Sequence, residues 1–360
     1  MNNSKPKILH IAQQNFAGMP IDFVKMHRDA GYESRLLTMY NSRIKYAQDI
    51  DLNLYLPQNK LSDKWRHKKF ISDTTEITNA KYYEVHNIME KLYFRLRDLK
   101  NKRKISEAIH KYNLYDFDIY HFDGGMDLFR DSRFAKKLKS MNKKIVLCYF
   151  GSDLRVRGIF KEMEAISDLN LTVEFDHLKL YKNINYIFFP FDIPEVSIKK
   201  DFGIGRMKVL HSPTNRLFKG TNKILNVINE LKNEFEFDFI LAENMARTEL
   251  LKLKSECHLA IDTVGGISGG TGYGKNSIEN LSLGLPTITE FTEDYMKFLP
   301  ENPFITSNIN DLKQVMTGIL RKPQILKEYS EKGIKWVKKY HGFQSVNKRL
   351  EELYIKAGII

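Results

Sequence analysis

Gly269-Gly270-Thr271-Gly272-Tyr273-Gly274-Lys275-Asn276-Ser277-Ile278-Glu279-Asn280-Leu281-Ser282-Leu283-Gly284-Leu285-Pro286 is a glycine-rich loop that runs into a short helix, which Gly284 and Pro286 stop. Glycines let backbone approach a ligand closely. The first turn of the helix aims N–H groups outward, so the amides of Lys275, Asn276, Ser277 and Ile278 are expected to face an anion such as a phosphate. Glu279 follows within the helix. A carboxylate there accepts two hydroxyl hydrogens, as from a ribose diol, or it complements the helix dipole.

Upstream lies His211-Ser212-Pro213-Thr214-Asn215-Arg216-Leu217-Phe218-Lys219-Gly220-Thr221. It sets two cations, Arg216 and Lys219, just before a helix, with Thr221 in position to cap it. Cations beside a helix N-terminus supply the charge that a diphosphate needs.

Outward from these segments, short apolar runs alternate with amphipathic ones. Strands are expected at Lys208–His211, Phe237–Ala242, Leu259–Thr263 and Pro286–Glu290. Helices are expected at Thr221–Lys232, Ala246–Ser255, Ser277–Leu283, Asn310–Tyr340 and Gln344–Ala357. The first half opens the same way. Strands are expected at Lys7–Gln13, Ser34–Thr38, Asp118–Phe122, Lys144–Phe150 and Tyr186–Phe191. A helix runs from Pro20 to Ala30, and helical spacing runs from Tyr82 to Ile109. Repeated alternation of this kind predicts two parallel α/β sheets. At 360 residues the chain suits two domains. The expected division is 1–200 and 206–342, with 343–360 packing back on the first.

Together the two segments resemble the group 1 glycosyltransferases of the GT-B fold, which have two facing Rossmann-like domains. The likeness is specific over roughly 206–290. It implies that Arg216 and Lys219 contact a donor diphosphate and that Glu279 meets the nucleotide ribose. It places Glu243 or Asn244 near the base, and the loop around Gly18 near the diphosphate. Gly274 and its neighbours form the phosphate-facing turn. The family carries a Glu that helps hold the donor sugar where this chain has Thr271, and a His where this chain has Phe150. The implied partners are a nucleotide-sugar donor and a glycan or lipid-linked acceptor. The implied chemistry is metal-independent and retains anomeric configuration. A non-catalytic member of the same fold is the second reading.

On the acceptor side, Asp153 and Asp123 each follow a strand. Either is a candidate base or hydroxyl acceptor, and Asp153 equally suits a turn cap. His121 reads as a packed residue. No metal is expected: the histidines at 67, 86, 110, 177, 211 and 341 lack helix-spaced pairing. Asp49-Ile50-Asp51 and Asp116-Phe117-Asp118 read as chance pairs. A dinucleotide-dependent oxidoreductase would need Gly-x-Gly-x-x-Gly after the first strand, and Gln13–Pro20 lacks it.

Two distant cysteines, Cys148 and Cys257, exclude a disulfide framework and suit a reducing cytosol. With no signal-length apolar run, the expected location is cytoplasmic. Net charge is +13, concentrated between Lys60 and Lys111 with Trp65, Tyr93 and Phe94 interleaved. A solvated helix face and peripheral contact with an anionic membrane are both open readings. Nucleic-acid binding would rest on charge alone and is not expected.

Overall fold

The computed structural model describes residues 5–41, 46–54, 80–85, 88–194, 201–202, 205–267 and 269–360. The chain divides into two compact units, Met1–Asp192 with Phe343–Ile360, and Ile193–Gly342.

Among its described residues the first unit holds seven parallel strands: β1 (Ile8–Ala12), β2 (Ser34–Thr38), β3 (Ile50–Asp51), β4 (Ile119–Asp123), β5 (Lys144–Tyr149), β6 (Leu169–Thr172) and β7 (Asn185–Tyr186). Their order is β3-β2-β1-β4-β5-β6-β7. The central strands β1 and β4 are buried at every position, as a sheet covered on both faces demands. Among the described residues, the helices that accompany them are α1 (Met19–Asp29), α2 (Ile88–Lys111), α3 (Arg133–Ser140), α4 (Lys161–Ile166) and α5 (His177–Leu180). Pro20 sits in the first turn of α1, where a missing N–H costs nothing.

The second unit holds β8 (Lys208–His211), β9 (Asp238–Leu241), β10 (Leu259–Ile261), β11 (Thr287–Thr289) and β12 (Ile305–Thr306), in the order β12-β11-β10-β8-β9. All neighbours pair in parallel. Its helices are α6 (Arg216–Lys219), α7 (Thr221–Leu231), α8 (Arg247–Glu256), α9 (Lys275–Ser282), α10 (Glu293–Phe298), α11 (Leu312–Arg321) and α12 (Leu326–Tyr340). The last helix, α13 (Phe343–Lys356), rejoins the first unit. There Tyr32 donates to Glu351 at 2.6 Å, and the Tyr354 hydroxyl meets His121.

Several expected elements differ. Of the predicted strand Tyr186–Phe191 only Tyr186 is paired, as the second residue of β7, because β7 is an edge strand whose one partner ends at Thr172. The strands β3, β6 and β12 are additional. The helix expected over Asn310–Tyr340 is two, since Pro323 breaks it. The helical spacing from Tyr82 starts as helix only at Ile88; Tyr82 instead forms a bridge with Ile159. The basic, aromatic stretch around Trp65 lies outside the described residues.

Three histidines meet in the core of the first unit. His10 from β1, His27 from α1 and His121 from β4 are fully buried, with ligand-type nitrogens within 4.8 Å of one another. Among the described residues this is the one group spaced closely enough to hold a metal ion. The sequence does not connect them, because they sit on three separate elements. Hydrogen bonds already link two of them, while His121 faces Tyr354. His10 Nδ1 lies 3.0 Å from Asp123 Oδ2, and His10 Nε2 lies 3.2 Å from His27 Nδ1. A donor on Nδ1 of both rings satisfies this chain and leaves the buried His27 Nε2 unpaired.

Burial pushes the His27 and His121 imidazoles well below the usual range, and the neighbouring rings add to it. Below about pH 6.5 the unfolded chain protonates at these positions while the folded core does not. The contribution of these two rings to stability therefore drops as pH drops, by up to about 1.4 kcal/mol per pH unit for each ring. In urea unfolding between pH 7 and 5, the stability of His121→Gln is expected to depend on pH less steeply than that of the parent chain by up to about 1.4 kcal/mol per pH unit, the share of one ring.

Candidate functional site

In an open parallel sheet, ligands bind beyond the carboxyl ends of the strands where the winding reverses. In the second unit that point lies between β8 and β10. The residues beyond these two strands are Ser212 and Asp262.

Asp262 is the centre of the arrangement, and the sequence reading passed over it. It is 1% exposed. Lys219 Nζ reaches its Oδ1 at 2.7 Å and Asn276 Nδ2 reaches the same oxygen at 2.9 Å. The Ser277 hydroxyl donates to its Oδ2. Burial alone would raise this carboxyl, but the Lys219 ammonium and the donors from Ser277 and Asn276 hold it at about 2. The network then continues along α9. Asn276 Oδ1 accepts from Lys254 Nζ at 2.7 Å and from the Ser212 hydroxyl at 3.2 Å. Lys254, itself fully buried, also reaches Glu279 Oε2 at 2.9 Å. Arg247 grips Glu279 Oε1 at 2.9 and 3.0 Å.

Four predicted residues, Lys219, Asn276, Ser277 and Glu279, are thus joined by three that were not singled out: Asp262, Lys254 and Arg247. The Glu279 carboxylate differs from the open ribose acceptor expected of it. Both of its oxygens are in ion pairs, and although burial opposes ionisation, Lys254 and Arg247 hold it below the ordinary range. The amides of Ser277 and Ile278 also differ from expectation, since both return to the Gly274 carbonyl. Ile278 is core. Lys275 and Asn276 open the helix, and Gly274 caps it with extended backbone.

Arg216 and Lys219 lie on a separate turn, α6, that the sequence reading missed. Asn215 creates it: its side chain accepts from the amides of Leu217 and Phe218. Gly220 ends it at φ +71. Thr221, expected as a helix cap, instead lies 2.9 Å from His211 Nε2, while His211 Nδ1 faces the Ile261 carbonyl at 2.7 Å. Two glycines fix where α6 sits. A Cβ on Gly220 would fall 1.9 Å from the Val264 carbonyl oxygen, and one on Gly266 would fall 1.9 Å from that of Phe218. Arg216 pairs with Glu243, which lies beyond β9, at 2.5 and 2.8 Å. Asn244 beside it has φ +53.

The glycine-rich loop is anchored from behind. Tyr273 is buried among Phe291, Tyr295, Phe304 and Trp336, and its hydroxyl lies 2.9 Å from His341 Nε2. Thr271 is half-buried between Gly270, whose carbonyl accepts from Thr292, and Gly272.

The first unit repeats the logic. Its winding reverses between β1 and β4, and a cavity of about 410 Å³ lies there. Gln13 and Gln14 after β1, Asp123 and Gly124 at the end of β4, and Phe150 and Asp153 after β5 contribute to its wall. Gly18, at φ +69, launches α1 beside Phe16 and Pro20, which also line the cavity. The Asp153 oxygens accept from the amides of Phe150, Gly151 and Leu154, which is the work of a turn cap. Asp123 gives Oδ2 to His10 and keeps a buried Oδ1 without a partner; burial raises its carboxyl.

Removing one partner of a buried ion pair strands the other charge. Lys254→Met is expected to destabilise the chain by about 3 kcal/mol in urea unfolding. Lys254→Met combined with Glu279→Leu is expected to recover most of that loss.

No protein-family profile and no curated protein matches the sequence. Solved structures do match across almost the whole chain. The catalytic domain of starch synthase IV from Arabidopsis thaliana, bound to ADP and acarbose, has a TM-score of 0.60 at 12% identity, covering 98% of this chain and 99% of that one. Sucrose-phosphate synthase from Thermosynechococcus elongatus has a TM-score of 0.58 at 12% identity, covering 97% and 98%. HepE from Anabaena, in complex with UDP and glucose, has a TM-score of 0.56 at 10% identity, covering 97% and 99%. The chain shares the fold of these proteins, two Rossmann-like α/β domains of the GT-B class, which is the fold that the resemblance to group 1 glycosyltransferases implies.

Proposed function

We propose that the chain is a glycosyltransferase that takes a sugar, of hexosyl type, from a nucleotide donor and passes it to a glycan or lipid-linked acceptor. The observation that carries this reading is the convergence of Lys219, Asp262, Asn276 and Ser277 at the switch point of the second sheet. It occurs in a chain whose fold recurs in proteins described with UDP and with ADP. An ammonium has three N–H donors. Asp262 and Thr263 take two from Lys219, and the third suits a diphosphate oxygen. The first amides of α9 and the Arg216 guanidinium add to the same charge balance. In this reading they neutralise the departing nucleoside diphosphate without a metal, and the departing phosphate assists a same-face substitution. Arg216 would exchange Glu243 for phosphate, freeing Glu243 and Asn244 for the nucleoside. Glu279 would act by holding Lys254 and Asn276 in place as well as by meeting the ribose. The acceptor would enter the cavity of the first unit, with Asp123 or Asp153 receiving its hydroxyl.

Thr271 and Phe150 favour the second reading, a sugar-nucleotide-binding partner without turnover. Measurement of UDP and ADP release from a panel of sugar nucleotides separates the two. Lys219→Ala is expected to lower release by about 100-fold or more, with the fold checked by circular dichroism. Donor binding without release across a broad acceptor panel would instead establish the binding subunit.

Peripheral membrane contact belongs to the same proposal. No helix among the described residues is long and apolar enough to cross a membrane. Helix α2, however, exposes Met89, Leu92, Leu96 and Leu99, recurring every three or four residues, with Ile88 beside the first. Arg95, Lys102 and Arg103 are exposed on the same helix. An apolar stripe flanked by cations suits an anionic bilayer surface. Leu92→Asp with Leu96→Asp is expected to abolish co-sedimentation with anionic vesicles. Co-sedimentation that ignores anionic lipid would remove the membrane from the reading.

A further inference from the structure

The cavity of the first unit is walled by more than carboxylates. Arg97, Arg130 and Arg157 line it together with Tyr40, Tyr83, Tyr93, Phe94 and Phe150. Arg97 is neutralised by Asp98, whose second oxygen accepts the Arg130 amide. Arg130 and Arg157 have no such partner: among the described residues no carboxylate lies within ion-pair distance of either. Arg130 is wedged between rings, 4.1 Å from the Phe94 centroid, 4.9 Å from Tyr83 and 5.2 Å from Phe160. Its Nε and Nη1 are buried without a hydrogen-bond partner, as are Nε of Arg157 and the hydroxyl of Tyr40. Arg157 spends one nitrogen on the Gly124 carbonyl.

Rings stabilise a guanidinium but do not neutralise it. A buried cation lacking an anion is costly, and two side by side repel. Burial, with Arg97 and Arg157 adding repulsion, brings the Arg130 guanidinium down to about 10. The carboxylates on the wall relieve this only in part: the Asp153 charge favours the Arg157 guanidinium without pairing with it, and Glu90 accepts from the Tyr83 hydroxyl. Asp153 is committed to three amides, and Asp123 faces His10. The unspent donors belong to three residues that follow three strands, β2, β4 and β5. A tetrahedral anion accepts from several directions, whereas a planar carboxylate is satisfied by one guanidinium fork.

We propose that this cavity is a phosphate-ester site, in which Arg130, Arg157 and Tyr40 hold the phosphate of the acceptor and the aromatic wall takes the group that carries it. The inference rests on the glycosyltransferase reading only in naming the bound molecule an acceptor. Its size fits, since small-molecule sites run from about 300 to 1,000 Å³. The unpartnered Asp123 Oδ1 lies on the same wall, suited to a hydroxyl of the same molecule.

Calorimetric titration of the full chain, saturated with UDP so that the second unit does not compete, tests this. Glucose 1-phosphate is expected to bind at least 10-fold more tightly than methyl glucoside or glucuronate. Arg130→Gln and Arg157→Gln are each expected to lose that 10-fold while keeping UDP affinity. The two variants are made separately so that one misfolded protein does not decide the result. Equal binding of charged and neutral probes, wild-type affinity in both variants, or glucuronate binding as tightly as the phosphate would overturn the inference. UDP binding without phosphate binding would sink this inference alone. Phosphate binding without UDP binding would sink the proposed activity and leave the site. Competition by vesicles carrying a polyprenyl phosphate assigns the phosphate to a lipid carrier, and its absence to a soluble ester.

Discussion

A single buried carboxylate, Asp262, ties the second unit together at its switch point. It sits beyond β10, yet its partners come from α6 and α9. An ionised group at 1% exposure persists only when its hydrogen-bonding capacity is filled. Lys219, Asn276 and Ser277 fill it, and in doing so set the angle at which both helix starts face the same space. Lys254 and Glu279 extend the lattice, so that α8 and α9 are clamped by charge as well as by packing. The site is therefore a by-product of satisfying one desolvated anion.

The two sheets obey the same topological rule, each on its own. Both wind outward from their first strand in one direction and then in the other, and both open a concavity where the direction changes. What differs is the lining. The second unit offers a bonded lysine and helix amides. The first offers aromatic rings and two guanidinium groups with unspent donors.

Local patterning revealed the strands that are buried on both faces. The stretch Ile145–Phe150 was legible because apolar residues run there without interruption. The loops were legible through their glycines. The short edge strands were not, since two residues carry no period. Nor was α6, whose existence depends on one asparagine side chain. The partners within the site were the least visible. Lys254 looks like any lysine of an amphipathic helix, and only tertiary placement reveals that it is buried. Glu279 was expected in the site, but its ion pairs come from the preceding helix α8, and no spacing announces them. The three core histidines were hidden for the same reason.

The contact of Gly220 with Val264, and of Gly266 with Phe218, has a bearing on how such a site can diversify. Backbone meets backbone there, so no side chain mediates the fit and none can be exchanged to adjust it. The turn that carries Arg216 and Lys219 is welded to the loop after β10. Gradual substitution cannot slide it. Variation is pushed to positions such as Thr271, which hang from the frame without supporting it. In the proposed reading, the place of the donor phosphate is thereby a fixed coordinate, while whatever is attached to it is free to change.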